Sequence, residues 1–215
     1  THDEIVHSPL IRKYAAVLAE GAEHVGSPQI RHMATVGGNL CNASPAADTA
    51  PPIMVLDGEL TLSDGKEVST VPVEDFFYIP GKPKLEKGQL LTGIKIKKLQ
   101  KDQGAAFYKI GKRLSLAIAI LNGASLLEVS EGKITKVRIA LGCVAAKPLR
   151  LTKAEEFLLG KAPTEENFIK AGEIAADSIV PIDDIRAKKE YRKGVAAKVV
   201  KKTLEMAYAQ CGEEK

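Results

Sequence analysis

Residues 31–52 read RHMATVGGNLCNASPAADTAPP, and they break the character of the chain around them. The flanking segments are rich in Lys and Glu, whereas this stretch is built of Gly, Ala, Pro and small polar residues. The paired Gly37-Gly38 removes two Cβ atoms, which frees the backbone for left-handed angles and for close approach to a ligand. Successive amide N–H groups in such a turn can converge on an anion. Thr35 and Asn39 flank the pair with a hydroxyl and an amide, both hydrogen-bond donors. Asp48 offers acceptors for sugar or polyol hydroxyls, and Ser44-Pro45 fixes the turn between them. The pattern is neither the G-x-G-x-x-G fingerprint nor a P-loop, because the spacing is wrong and no Gly-Lys-Ser/Thr follows. Gly-Gly-Asn is also ordinary turn punctuation, so a plain turn and a phosphate cradle both stand.

Working outward, residues 8–25 (SPLIRKYAAVLAEGAEHV) place apolar side chains at helical spacing behind a Ser-Pro start and predict one helix. Beyond Asp48, TAPPIMVLDG predicts a short helix with Asp48 as an acidic cap candidate and Gly58 as its stop. ELTLS and EVSTVPV alternate as strands around the turn DGK, and LLTGIKIKK alternates again. Between them, VEDFFYIPGKPKLEKGQ predicts a short helix running into a Pro/Gly-rich connection. At LQKDQG, residues 99–104, the pattern is lost, which places a boundary between domains 1–102 and 103–215. Past it, AAFYKI, SLAIAILNGASLLEV and KITKVRIALGCV read as three strands, the last two joined by a Ser130-Glu131-Gly132 hairpin turn. TKAEEFLLG, TEENFIKAGEIAADSI and RAKKEYRKGVAAKVVKKTLEMAYAQ then read as three helices. Strands followed by helices predict an α+β unit, its helices covering one face of a small antiparallel sheet.

Composition narrows the function classes. Of 215 residues 45% are apolar but only 5% aromatic, with no Trp, so the core is aliphatic. Lys and Arg total 31 against 27 Asp and Glu, and the net +4 is interleaved rather than packed into blocks, which argues against nucleic-acid binding. The apolar run Leu116–Leu121 is too short for a bilayer, and no leader pattern opens the chain, so no membrane insertion is expected. Cys41, Cys143 and Cys211 are odd in number and far apart, which fits a reduced, cytoplasmic protein without zinc or cluster spacing. His2, His7, His24 and His32 show no ligand spacing and are assigned to surface or loop positions. No acid/base or nucleophile constellation stands out, so no catalytic side chain is named.

The longer string QIRHMATVGGNLCNASPAADTAPP resembles the second flavin-binding segment of the FAD subunit of molybdenum hydroxylases. That family includes xanthine dehydrogenase, the aerobic carbon monoxide dehydrogenase medium subunit, and nicotinate or purine hydroxylases. Further matches follow in order: VEDFF, GQLLTGIKI, FYKIGKRLSLAIAI, VRIALGCVAAKPLR and PIDDIRAKKEYRKGVAAKVVKKTLE. Together they cover nearly the whole chain. The resemblance implies the second subdomain of a vanillyl-alcohol-oxidase-type FAD-binding fold. A carbon monoxide dehydrogenase flavoprotein C-terminal-type domain, a three-stranded antiparallel sheet with three helices, would follow it.

By the same resemblance Thr35, Val36, Gly37, Gly38 and Asn39 wrap the FAD pyrophosphate and the nearby ribityl, with Cys41 and Asn42 close behind. Asp48 matches an acid on the flavin's hydroxyl-bearing chain, or is only a helix cap. Leu90 matches an apolar residue beside the isoalloxazine, or simply faces the core. Lys109 matches a lysine near the flavin ring, where a cation lowers the cost of accepting electrons; the alternative is a lysine that merely snorkels.

The implied role is an FAD-carrying electron-transfer subunit of a multi-subunit molybdenum hydroxylase. Its partners would be an iron–sulfur small subunit holding the [2Fe–2S] clusters and a molybdopterin large subunit holding the molybdenum cofactor. Electrons would leave to NAD or another acceptor. Complete members open with a further subdomain carrying a first Gly-rich FAD loop, and no such loop precedes Thr1. The expectation is therefore a fragment, or a split subunit whose first FAD subdomain lies on a separate chain, with weak FAD binding by this chain alone. The rivals are a freestanding FAD-dependent oxidase or reductase of the same fold and a flavin-free assembly subunit.

Overall fold

Several helix starts in the first part of the chain are written in side-chain caps. The computed structural model describes residues 1–113 and 116–212. Thr1 caps α1 (His2–His7) in a reciprocal box with Glu4, while Ser8 and Ser27 cap α2 (Pro9–Tyr14) and α4 (Pro28–Met33), each with proline in the first turn. Between them runs α3 (Ala16–Glu23), which buries Val17, Leu18, Ala19 and Ala22. The single helix predicted over 8–25 is thus two helices, broken at Ala15, whose φ and ψ are −153° and 41°. The break has a tertiary cause: the Tyr14 carbonyl accepts from Leu99 N at 2.8 Å, so the end of α2 is tied to the inter-module connection.

Residues 36–41 form α5 (Val36–Cys41), and α6 (Ala50–Val55) is buried along its whole length. Then come β1 (Glu59–Ser63), β2 (Val68–Pro72), α7 (Val73–Phe76), the small hairpin β3 (Phe77–Ile79) and β4 (Lys82–Pro83), and β5 (Leu90–Lys95). Strands β2-β1-β5 make a three-stranded antiparallel sheet, with Leu60 and Leu62 of the central strand turned into the core.

The second unit carries β6 (Gln103–Ile110), β7 (Leu121–Ser130), β8 (Lys133–Gly142) and β9 (Leu149–Arg150). Helices α8 (Thr152–Leu158), α9 (Glu165–Asp177) and α10 (Lys189–Ala209) follow. The three predicted strands are present, and the two-residue β9 extends them to an antiparallel order β6-β7-β8-β9. Strand β7 starts at Leu121, later than the predicted segment, whose first residue, Ser115, lies outside the described residues. Glu131 and Gly132 both have positive φ, 51° and 73°, as a two-residue type I′ hairpin turn requires.

This sheet is covered on both faces. Alternation sends Leu121, Leu127, Val137, Ile139 and Leu141 toward α8–α10. It sends Ala105, Phe107, Ala124, Leu126 and Ala140 into the same core as α3, α5, α6 and β1. The expected cover of one face by α8–α10 is present, and the first unit covers the other: it has no separate floor, and the second unit's sheet is that floor. Lys109, Asn122 and Gly142 form one rung across β6, β7 and β8, and Lys109 and Asn122 reach toward Asp48 in the first unit.

Candidate functional site

The Gly-Gly segment is a helix start. Thr35 takes extended angles and its Oγ1 accepts from Gly38 N at 2.9 Å, which sets the first turn of α5. Neither Gly37 nor Gly38 has positive φ, so the left-handed turn expected for them is absent; the Thr35 cap holds both in helical angles. What the glycines provide instead is bare backbone. A Cβ on Gly37 would meet nothing nearer than Leu91 Cδ2 at 3.9 Å, and one on Gly38 would come within 3.1 Å of Thr35 Oγ1. The first amides of any helix have no intrahelical acceptor, and of these Gly38 N is taken by the Thr35 hydroxyl.

Val36 and Leu40 point inward and anchor α5 to the core, so Val36 can serve a ligand only through its backbone. Asn39 Oδ1 accepts from Thr49 Oγ1 at 2.7 Å, which fastens the glycine turn to the residue next to Asp48. Leu90 opens β5 with 68% of its surface exposed, while its neighbour Leu91 packs on the core beside Gly37. Leu90 therefore does not face the core.

Asp48 is not a helix cap. Helix α6 starts from Thr49 without a side-chain cap bond, and the Asp48 carboxylate turns the other way. Its Oδ2 accepts from Lys109 Nζ at 2.6 Å and its Oδ1 from Asn122 Nδ2 at 2.7 Å. Lys109 Nζ also donates to the carbonyl of His24 at 2.9 Å. The two charged side chains are only 6% and 8% exposed, so Lys109 neither snorkels nor stands as a free cation. Burial pushes the Asp48 carboxyl above its ordinary value, and the Lys109 charge with hydrogen bonds from Lys109 and Asn122 pulls it back. Pro45 holds the segment from its other end, its carbonyl accepting from Cys143 N at 2.8 Å.

The structure thus joins Thr35, Gly37, Gly38 and Asn39 through Thr49 to Asp48, and Asp48 to Lys109; Leu90 stands beside the glycine turn on β5. Sequence reasoning missed Asn122, Thr49 and the His24 carbonyl. One signal was available: Asn122 is a lone amide inside the apolar run AIAILNGASLL, and a buried amide needs a partner. His2 also departs from the surface assignment. It is fully buried, its ring nitrogens have no hydrogen-bond partner among the described residues, and burial, then the N-terminal and Arg31 charges, lower its pKa to about 4.

Residues 1–98 match the family model described as FAD binding domain in molybdopterin dehydrogenase, and residues 106–207 the CO dehydrogenase flavoprotein C-terminal domain. The nicotinate dehydrogenase FAD-subunit of Eubacterium barkeri is 32% identical over 221 residues, covering 99% of this chain and 75% of that protein. A putative xanthine dehydrogenase FAD-binding subunit of Escherichia coli is 29% identical over 214 residues, covering 99% and 73%. Among solved structures, carbon monoxide dehydrogenase from Hydrogenophaga pseudoflava superposes with a TM-score of 0.94 at 30% identity, covering 98% of this chain and 73% of that one.

Proposed function

The chain belongs to the FAD-binding subunit family of the molybdenum hydroxylases, and from that premise we propose how its own residues serve the flavin. It is an oxidoreductase component: the FAD-carrying electron-transfer subunit of a multi-subunit enzyme with an iron–sulfur small subunit and a molybdopterin large subunit. Bound FAD supplies the redox chemistry between the small subunit's [2Fe–2S] clusters and NAD or another acceptor, while the protein supplies position and electrostatics.

The observation that carries the assignment is the Asp48–Lys109 pair, tied back to the glycine turn through Thr49 and Asn39. The donor and acceptor inventory fits the cofactor. Gly37 and Gly38 leave uncovered backbone beside Thr35 for a pyrophosphate, and Val36 contributes there only its amide. An ionised carboxylate has about four lone-pair sites and Asp48 accepts from two donors, Lys109 and Asn122, so acceptor capacity is left for a ribityl hydroxyl. Lys109 has spent two of its three donors, on Asp48 and the His24 carbonyl. Because Asp48 neutralises it, Lys109 would present the flavin with an oriented dipole rather than a full positive charge. Leu90 offers an exposed apolar surface for a flat ring.

Two further assignments belong to this reading. The boundary lies between Asp102 and Gln103, giving units 1–102 and 103–215; it falls in the turn before β6, between the two family matches. The compartment is the cytoplasm, which the odd number and wide separation of Cys41, Cys143 and Cys211 support. No helix among the described residues is long and apolar enough to cross a membrane.

Gly37→Ala tests the assignment. Alanine favours a helix over glycine by about 1 kcal/mol, and its methyl meets only ordinary contact with Leu91. The variant complex is expected to be as stable as the wild type or more so, yet to bind FAD at least about tenfold more weakly, as the loss of close approach dictates. Unchanged FAD affinity, measured by titrating the deflavinated complex, removes the turn from the flavin site.

A further inference from the structure

The rung Lys109–Asn122–Gly142 is more than a register of strand partners. Asn122 is fully buried, and Asp48 is the only hydrogen-bond acceptor its Nδ2 reaches among the described residues. Its Oδ1 has no partner there and lies where a Cβ on Gly142 would collide with it. The same Cβ would press within 2.9 Å of the Pro45 carbonyl, the group that Cys143 N holds. Gly142 is therefore the gap that admits both Asn122 and the Pro45–Asp48 segment onto the sheet. Leaving a buried amide oxygen unbonded costs about 1–3 kcal/mol, a cost a leucine at this apolar face would avoid. The amide has a use that stability alone does not explain.

We propose that Asn122 is the positioning residue of the flavin contact: its amide, supplied by the second unit, fixes the rotation of the Asp48 carboxylate and through it the place of Lys109. The proposal rests on reading Asp48 and Lys109 as flavin contacts. A carboxylate held only by Lys109 rotates about its Cβ–Cγ bond, and a lysine ammonium follows it as a point charge with no directional preference of its own. Asn122 adds the second fixed point, 2.7 Å from the oxygen Lys109 does not touch. The titratable groups facing Asp48 are Lys109 from β6, His24 at the end of α3 and the Cys143 thiol past β8, whose pKa burial pushes up to about 11.

Asn122→Asp separates positioning from mere filling. The variant keeps the shape and sets two carboxyl groups in hydrogen-bond contact, which share one proton because both cannot ionise cheaply. At low pH the protonated carboxyl donates to Asp48 as the amide does; at high pH the donor is gone and a second negative charge appears. In the native complex, FAD affinity of Asn122→Asp is expected within about twofold of wild type at pH 5 and about tenfold weaker at pH 8, the loss of one charge-assisted hydrogen bond. The flavin midpoint potential should gain a pH break that wild type, with the same His24, lacks. Asn122→Leu should be about tenfold weaker at both pH values.

Affinity of Asn122→Asp that is equally reduced at both pH values means a packing role and overturns the proposal. So does wild-type affinity in a folded Asn122→Leu complex. The double variant Asp48→Asn/Lys109→Met reports on the premise. If it loses FAD while the Asn122 variants keep it, positioning is wrong and the flavin reading survives. If it too keeps wild-type affinity and potential, both fall.

Discussion

A buried ion pair is an asymmetric device, and Asp48–Lys109 shows the asymmetry at the scale of single residues. Forming the pair gains little net stability, because desolvating two charges offsets most of their attraction; breaking it leaves one charge uncompensated. Asp48→Asn removes the charge and keeps the shape, so Lys109 is left buried at 6% exposure without a counter-charge. The expected cost is about 3 kcal/mol in urea unfolding. Asp48→Asn/Lys109→Met removes both charges, and its cost should fall to about 1 kcal/mol. A coupling near zero in that cycle would mean the two side chains do not share their charge in the folded chain.

At the scale of elements, the β7–β8 hairpin carries a correctable defect. Glu131 sits at φ 51°, in a region where Asn and Gly are at ease and Glu is not. Glu131→Asn turns the loop into Asn-Gly and should raise stability by about 0.5 kcal/mol, with an unchanged denaturant slope. A fall in stability would show that Glu131 has a role beyond its backbone angle. This turn was legible in the sequence, as were β1, β2, β5 and the three C-terminal helices, because local period and turn chemistry specify each of them. The break at Ala15 was not, since its cause is Leu99, distant in sequence. Helix α4 and the helical start at Gly37-Gly38 were also hidden: short capped helices have no room for a period to develop, and paired glycines argue against a helix wherever a cap does not decide. In the candidate site, Asp48 and Lys109 were singled out through resemblance. Their mutual pairing and Asn122 were not, because cross-sheet contacts lie outside any local pattern.

At the scale of the whole molecule, two units recognisable as separate families share one core, and Asp57 clasps them across its rim. Following α6, Asp57 accepts from Lys97 Nζ at 3.0 Å and Arg138 Nε at 3.0 Å, with Lys136 at 3.6 Å and Arg150 at 3.9 Å. Arg150 in turn grips Glu155, whose Oε1 takes Ile139 N at 2.8 Å, so the chain of contacts runs from the first unit through β8 and β9 to α8. Burial opposes ionisation of Asp57, but hydrogen bonds from Arg138 and Lys97 and the charges of Arg138 and Lys136 outweigh it and lower its pKa to about 2. A carboxyl depressed on folding stabilises the native state above its unfolded value, about 4, and that contribution is lost as pH falls from there through about 2. Asp57 has φ 50°, which asparagine tolerates, so Asp57→Asn isolates the charge from the backbone. The variant should lose about 1 kcal/mol at pH 7, a value discounted because solvent reaches the open side of the cluster. The gap to wild type should close as pH is lowered from 4 toward 2. With Phe107, Leu126 and Ala140 of the second unit buried in the first unit's core, both proteins should unfold in one transition by fluorescence and far-UV dichroism alike. A gap that stays constant down to pH 2.5 would assign the loss to something other than the Asp57 charge. Two resolved transitions would mean that the shared face does not couple the units.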